Sequence, residues 1–115
     1  MKDHVKEQLF RDGNQRWSVA RLITLAKDLD PFEIPLKHLN ICYLYPKPKS
    51  TLDFVEHMRQ VLEADLSFPI ILDEEGFCMD GRHRVCRALL EKKETILAVR
   101  FEKTPMCCIL LTTNF

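Results

Sequence analysis

The chain has 115 residues, a length that corresponds to one globular domain with a single core. Its composition is 46% hydrophobic and 30% charged, as in an ordinary soluble domain, and its formal net charge is zero. No apolar run approaches the ~20 residues of a membrane span, and the first residues lack the apolar core of a secretion signal. We therefore expect a cytoplasmic protein that has no membrane partner.

The charges are distributed unevenly along the chain. Residues 1–49 carry nine Lys and Arg against six Asp and Glu, residues 50–80 carry one against eight, and residues 81–115 carry seven against three. A contact with duplex DNA requires a broad basic face, so DNA binding is possible but is not expected for this chain alone. A small anion requires only a local cluster of cations, and residues 82–87 supply one.

The five cysteines argue for reduced thiols. Their number is odd, two of them are adjacent, and the start of the chain does not predict secretion, so a disulfide framework is not expected. Cys78 and Cys86 flank His83 and, with Cys42 as a fourth ligand, could form a zinc set, but the spacing matches no familiar zinc pattern, and we expect no structural metal. The cysteines are Cys42, Cys78, Cys86, Cys107 and Cys108.

The first third of the chain predicts a lead-in, a helix and a strand. Residues 1–13 have mixed charge and are expected to form a flexible lead-in. From Trp17 apolar residues recur at spacings of three and four, which predicts an amphipathic helix capped by Asp12 or Asn14 and ended by Pro31. A short strand is then predicted by the alternation in Phe32–Leu36.

A second helix follows a proline-rich loop. Ser50 and Asp53 form a capping-box pattern at its start. The helix carries an apolar face, whose members are Phe54, Val55, Met58, Val61, Leu62 and Leu66.

The remaining elements are a hairpin, a helix and a strand. Phe68–Leu72 is an apolar run of strand length, Asp73–Gly76 is a turn and Phe77–Met79 is the return strand. A helix is predicted from Gly81 to about Lys92, and a β-branched strand over Thr95–Phe101. The order α, β, α, β, β, α, β predicts an α+β fold in a single domain over residues 14–105, with residues 106–115 as an apolar C-terminal tail or edge strand.

The start of the third helix carries the strongest functional signal. The open N–H groups of a helix start, the positive end of its dipole and nearby guanidinium groups together favour an anion, and phosphate is the anion that we expect. The predicted phosphate-binding residues are Gly81, Arg82, His83 and Arg84, with Arg87 supplying outer charge.

The same cluster also has a structural interpretation. Arg84 and Arg87 are neighbours on a helix and repel each other. Glu91, four residues after Arg87, could neutralise them within the chain, together with Asp73, Asp80 or another acid. Asp80 could instead hold Mg²⁺ beside a bound phosphate, and the sequence leaves these alternatives open.

The residues Asp80-Gly81-Arg82-His83-Arg84, after a hairpin and at the start of a helix, resemble the signature of the ParB-like/sulfiredoxin superfamily. Upstream segments fit in the same order: residues 33–39 resemble its opening strand and short helix, residues 40–46 its Asn/Pro loop and residues 68–72 its Pro-Ile-Val strand. The resemblance covers about residues 31–103 and leaves residues 14–30 as an extra N-terminal helix. It implies a compact ParB/sulfiredoxin-like α+β domain, in which a small mixed sheet is packed with helices and the third helix start binds nucleotide phosphates.

The resemblance also implies a ligand. Sulfiredoxins bind ATP with magnesium, and ParB partition proteins bind CTP, so a nucleoside triphosphate with Mg²⁺ is the implied cofactor or substrate. Lys47 or Lys49 would provide a second phosphate contact, and Asp80 is the candidate for the metal.

Departures from the superfamily pattern narrow the function. Sulfiredoxins place their catalytic cysteine immediately before the His-Arg pair, where this chain has Arg82, so a sulfinic-acid reductase is disfavoured. ParB partition proteins continue into a helix-turn-helix and dimer domain, which we do not expect here, so centromere-type DNA binding by this chain alone is disfavoured.

Three hypotheses remain for the function. The first is a phosphate- or nucleotide-binding domain with no assigned reaction, and the second is a nucleotide-dependent phosphotransferase or hydrolase that uses Asp80. The third is a non-catalytic protein-interaction or antitoxin-like adaptor, in which the arginine helix is neutralised internally. The uncharged apolar run 106–111 adds the possibility of a homodimer through the C-terminal tail.

Overall fold

A computed structural model of the chain describes residues 9–12, 15–41, 44, 47–107 and 109–110, with side chains described only between residues 17 and 107. Within these ranges the protein has seven strands, three α-helices and one 3-10 turn, which confirms the α+β class. The strands are β1 Leu9–Asp12, β2 Gln15–Ser18, β3 Phe32–Pro35, β4 Ile70–Leu72, β5 Cys78–Asp80, β6 Thr95–Arg100 and β7 Ile109–Leu110. The helices are α1 Val19–Ala26, α2 Thr51–Glu63 and α3 Arg82–Leu90, and the 3-10 turn is Leu36–His38.

The central sheet has four strands in the order β3-β6-β4-β5. β6 is antiparallel to β3 and parallel to β4, and β5 returns antiparallel to β4, so the predicted small mixed sheet is confirmed. The chain passes from β5 through α3 to β6, which sets the start of α3 directly after the end of β5.

The sheet is buried on both faces because successive residues of a strand point to opposite sides. Ile70 and Leu72 of β4 belong to one core cluster, and Ile71 between them belongs to the other. This explains why β4 reads as an unbroken apolar run. The first cluster packs against α3 through Val85 and Ala88, and the second against α1 through Leu22 and Ala26.

The N-terminal region differs from the prediction. Residues 9–12, placed by the sequence in a flexible lead-in, form β1 and pair antiparallel with β2. Trp17, predicted to be helical, lies in β2 because its ring is buried in the core and its Nε1 donates to the Pro105 carbonyl at 2.8 Å. Residues 1–8, 13 and 14 lie outside the described residues.

The first helix also begins and ends elsewhere than predicted. α1 starts at Val19, and Ser18 is its cap, since the Ser18 Oγ accepts from the Arg21 N–H at 3.3 Å. Asp12 lies in β1 and cannot serve as the cap. The helix ends at Ala26, five residues before Pro31.

The described part of the C-terminal tail pairs within the chain. β7 is an edge strand of a three-stranded sheet, where it pairs antiparallel with β2. Residues 108 and 111–115 lie outside the described residues, and a homodimer through this tail stays a prediction. None of the described helices has the length and apolar character that crossing a bilayer would require.

Candidate functional site

The start of α3 is fixed by packing against β4. Gly81 has φ +112°, in the left-handed region, and a Cβ there would lie 2.5 Å from the Ile70 Cγ2. Glycine is therefore required because the Gly81 backbone lies against the Ile70 side chain, whereas the sequence predicted it for close approach of a ligand. No side chain caps this helix start, and its first-turn N–H groups have no acceptor within the helix.

A wide cleft of about 1710 Å³ opens at this helix start. Its walls are the first turn of α3, the β4–β5 hairpin, α1 and one edge of α2. Two exposed aromatic rings, Phe68 and Phe77, stand in it. Drug-sized ligands occupy pockets of ~300–1,000 Å³, so the cleft has room for a nucleotide. Of the predicted site residues, it brings together Asp80, Gly81, Arg82, His83 and Arg84.

Charged residues of both signs line the cleft. The cations are Lys27, Arg82 and Arg84, and the anions are Asp65, Asp73, Glu75 and Asp80. The Asp73 carboxylate accepts from the backbone N–H groups of Glu75 and Phe77, both at 2.9 Å, which gives this acidic turn a structural role.

Arg84 joins three segments of the chain through hydrogen bonds. Its guanidinium donates to the Pro69 carbonyl at 2.8 Å, to the Phe68 carbonyl at 3.2 Å and to the Asp80 Oδ2 at 2.7 Å. These bonds tie α3 to the entrance of β4 and to the end of β5. The side chain predicted to hold phosphate thus has protein acceptors on two of its nitrogen atoms.

Arg87 is also engaged by the protein. It donates through Nε to the Glu91 carboxylate, as the structural interpretation of the sequence anticipated, and through a second nitrogen to the Leu62 carbonyl near the end of α2. It is not among the described residues that line the cleft. Its charge contributes to the electrostatic potential of the site without direct contact.

A chain of three polar side chains crosses from α2 to α3 at the edge of the cleft. The Asp53 Oδ1 lies 3.2 Å from the His57 Nε2, and the His57 Nδ1 lies 3.1 Å from the His83 Nε2. The two rings are stacked, with centroids 5.4 Å apart. We call these residues the Asp53–His57–His83 chain.

The surroundings of His83 hold it neutral. Burial is the largest cause, and the charges of Arg82, His57 and Arg84 act in the same direction, so that the pKa of His83 falls to about 4. Asp80 opposes this shift. At neutral pH the ring is therefore uncharged, and it resists protonation until the pH falls towards 4.

Burial also keeps the cysteine thiols near the site in their neutral, unreactive form. Burial raises the pKa of the Cys78 thiol to about 12, and the Asp80 charge adds to the rise. Burial also raises the pKa of Cys86. Both thiols stay protonated at neutral pH, and thiols in this state are poor nucleophiles and poor metal ligands.

The described residues give little support to a resident metal. No group of three or more His, Cys, Asp or Glu among them is arranged to bind an ion. Asp80, the candidate for Mg²⁺, already pairs with Arg84. Cys42, which would complete a zinc set with Cys78, His83 and Cys86, lies outside the described residues.

Lys47 and Lys49 are the two other predicted phosphate contacts. Both are exposed residues before α2, and neither is among the described residues that line the cleft. The Lys49 backbone N–H donates to the Asp53 Oδ2 at 2.9 Å, and the Asp53 N–H donates to the Ser50 Oγ at 3.1 Å. The predicted Ser50 cap is thus present, but the return bond of Asp53 goes to the Lys49 N–H and not to the Ser50 N–H that a capping box uses. These bonds also fix the first member of the Asp53–His57–His83 chain.

Asp53 and His57 were not predicted as site residues from the sequence. Their spacing of four on a predicted helix was a usable signal, since such pairs are neighbours on one face. Their contact with His83 joins residues 26 positions apart and becomes visible only in the tertiary structure.

Comparisons with known proteins assign this chain to no family. No family model, no curated protein and no solved structure matches it. The resemblance to the ParB-like/sulfiredoxin superfamily therefore stays a prediction from the quoted residues.

Proposed function

We propose that the chain is a phosphate- or nucleotide-binding domain of ParB-like type. The observation that carries the proposal is the uncapped start of α3, which opens into a cleft large enough for a nucleotide. The backbone N–H groups of residues 82–84 hold the phosphate oxygens, helped by the helix dipole. Arg82 and His83 are the side chains assigned to contact it.

The contacts of the two other arginines change the division of roles within this site. Arg84 holds the phosphate loop in place through Asp80 and the carbonyls before β4, and Arg87 supplies distant charge. A ligand contact by Arg84 would use the remaining donor capacity of its guanidinium.

The base of a nucleotide would stack on aromatic rings in the cleft. The exposed rings of Phe68 and Phe77 line it together with the phosphate loop. A base stacked on an aromatic ring gains about 1–3 kcal/mol without selecting a particular base. The ligand is a nucleoside triphosphate, taken with Mg²⁺ when Asp80 exchanges its arginine for the metal.

An internally neutralised adaptor is the second candidate. The Arg84–Asp80 and Arg87–Glu91 pairs favour it, because each matches one arginine of the helix with a carboxylate of the same chain. This candidate predicts no ligand in the cleft, so one experiment separates the two.

The experiment is thermal unfolding in the presence of ATP, CTP, GTP, UTP, their diphosphates and inorganic phosphate, each with and without Mg²⁺. A ligand at one hundred times its dissociation constant stabilises the fold by about 2.7 kcal/mol, which is roughly ten degrees in midpoint for a domain of this size. We expect Arg82→Gln to abolish the shift. Lys93→Gln, which removes a charge beyond the opposite end of α3, should retain it.

The pattern of shifts identifies the ligand. A shift that depends on the base assigns a nucleotide, and an equal shift with inorganic phosphate assigns the phosphate group alone. No shift with any compound would contradict the proposal and favour the adaptor. A shift retained in Arg82→Gln would place the anion elsewhere.

A further inference from the structure

α2 presents its apolar side to solvent. None of its 13 residues is buried, although the helix has a clear apolar face. The exposed fractions of the large apolar side chains are 81% for Leu52, 47% for Phe54, 44% for Val55, 46% for Met58 and 56% for Leu62. We call these five residues the α2 outer face.

The opposite side of α2 faces the domain and is mostly polar. Its half-buried residues are Asp53, His57 and the apolar Val61, and His57 and Gln60 line the cleft. At 100° per residue these positions lie on the side of the helix away from Val55 and Leu62. The helix therefore turns its polar side to the domain and its apolar side to solvent, whereas a helix packed on a core does the opposite.

An isolated helix of 13 residues is marginal in water, and most helices are held by burial of their apolar face. A contiguous exposed apolar patch of several hundred Å² also marks an association site on a soluble protein. Both arguments indicate that the α2 outer face is covered in the working protein.

The outer face is self-complementary about its centre. Phe54, Met58 and Leu62 form an i, i+4 row with Met58 in the middle. Rows of this type on two helices interdigitate in the commonest helix-packing class. A two-fold axis at Met58 sets Phe54 of one copy against Leu62 of the other, so that apolar side chains meet along the whole row.

The charges beside this row are complementary under the same axis. Glu56 and Arg59 lie on one flank of α2 and form an exposed pair at 2.8 Å. Because the axis reverses the helix direction, Arg59 of one copy comes beside Glu56 of the other. Two exposed pairs, each of little value alone, thereby form one alternating cluster of four charges.

We propose that a second copy of this chain covers the α2 outer face, in an antiparallel two-fold dimer centred on Met58. An isologous contact of this kind uses the same patch on both subunits. The five side chains expose on the order of 500 Å² per copy, and with their charged rim they approach the ~800 Å² per partner of a standard interface. The interface is separate from the predicted pairing through the C-terminal tail, and it leaves both clefts open.

The test is the molar mass in solution, measured by sedimentation equilibrium for wild type and for two variants of equal chemistry. Met58→Glu places a charge at the centre of the outer face, and Leu25→Glu places one at an exposed apolar site on α1. We expect a dimer for wild type and for Leu25→Glu, and a folded monomer for Met58→Glu.

Cross-linking tests the axis itself, because Met58 is the one position of the row that faces its own copy. Mild oxidation of Met58→Cys should give a reducible dimer in high yield, and wild type and Leu25→Cys, treated identically, should give little. A monomeric wild type at its highest soluble concentration would overturn the proposal and leave the outer face to a different protein. A dimer that persists in Met58→Glu would overturn it in favour of another surface.

Discussion

The Nδ1 of His57 lies 3.1 Å from the Nε2 of His83, and this contact joins α2 to the first turn of α3. Because the Asp53 carboxylate accepts, the His57 Nε2 carries a proton and donates to it. The tautomers of the two rings determine which histidine donates in the bond between His57 Nδ1 and His83 Nε2. The three side chains thus form one hydrogen-bonded chain between α2 and α3.

The low pKa of His83 predicts a loss of stability in acid. Above pH 6.5 the ring is neutral in both the folded and the unfolded chain and makes no difference. As the pH falls from 6.5 to about 4, the unfolded chain binds a proton that the folded chain refuses, so the free energy of unfolding falls over this interval. Urea unfolding across this range measures the slope.

The slope should be shallower in His83→Gln, which cannot take up the proton. His38→Gln removes an exposed histidine of the 3-10 turn and serves as the control that keeps the wild-type slope. Equal slopes in all three proteins would show that His83 is not held neutral by its surroundings.

Anion binding should be coupled to proton uptake. A phosphate beside His83 opposes the charges of Arg82 and Arg84, so it raises the pKa of the ring and favours its protonation. Calorimetry of phosphate or nucleotide binding in buffers of different ionisation enthalpy counts the protons taken up. We expect uptake by wild type and less by His83→Gln, and the same uptake by both would place the anion away from this ring.

Elements with a strong local pattern could be predicted from the sequence. The β4–β5 hairpin, the Gly81 helix start and the Ser50 cap all depend on residues within a few positions of one another, and each is present. The N-terminal hairpin was missed although its own pairing is local and Gly13-Asn14, the only two residues between its strands, is a typical hairpin-turn sequence. The pairing of β2 with β7 and the bond from Trp17 to Pro105 join distant segments and were beyond sequence reasoning. Local periodicity in Val19–Leu29 extended the predicted helix over residues that tertiary contacts hold as a strand.

The residues of the site also fall into two groups, those that a local pattern predicts and those that only the tertiary structure brings together. The sequence identified the residues around Gly81, which are contiguous, and it allowed for pairing of Arg87 with Glu91, which are one helical turn apart. It could not show that Arg84 points to the carbonyls of Phe68 and Pro69, or that the polar edge of α2 meets His83. The direction in which α2 turns its apolar face is likewise set by packing, which periodicity does not reveal.

Replacement of Gly81 should be costly to stability, independently of any ligand. A Cβ at this position meets Ile70 Cγ2 at 2.5 Å and requires a backbone conformation that side chains disfavour. We expect Gly81→Ala to lower the free energy of unfolding by about 2–4 kcal/mol. Gly76→Ala is a matched control, since Gly76 also has a positive φ but nothing lies within 4 Å of its Cβ position. It should cost about 1 kcal/mol, and an equal loss in the two variants would rule out a clash with Ile70.

We expect the main role of Arg84 to be stabilisation of the fold, with any contact to a ligand secondary to it. Only 18% of its side chain and 15% of the Asp80 side chain are exposed, so removal of the guanidinium leaves a mostly buried carboxylate and two carbonyls without their donor. We expect Arg84→Ala to lower the free energy of unfolding by about 2–4 kcal/mol without ligand present.

The exposed pair of Arg59 and Glu56 provides the comparison, and Arg59→Ala should cost less than about 1 kcal/mol. A double-mutant cycle with Asp80→Asn separates the ion pair from the carbonyl bonds, because it measures the coupling of Arg84 and Asp80 alone. If Arg84→Ala left stability unchanged yet abolished anion binding, its guanidinium would belong to the ligand site. If stability falls and Arg82→Gln alone removes binding, the phosphate is held by the first turn of α3 and Arg84 holds that turn in place.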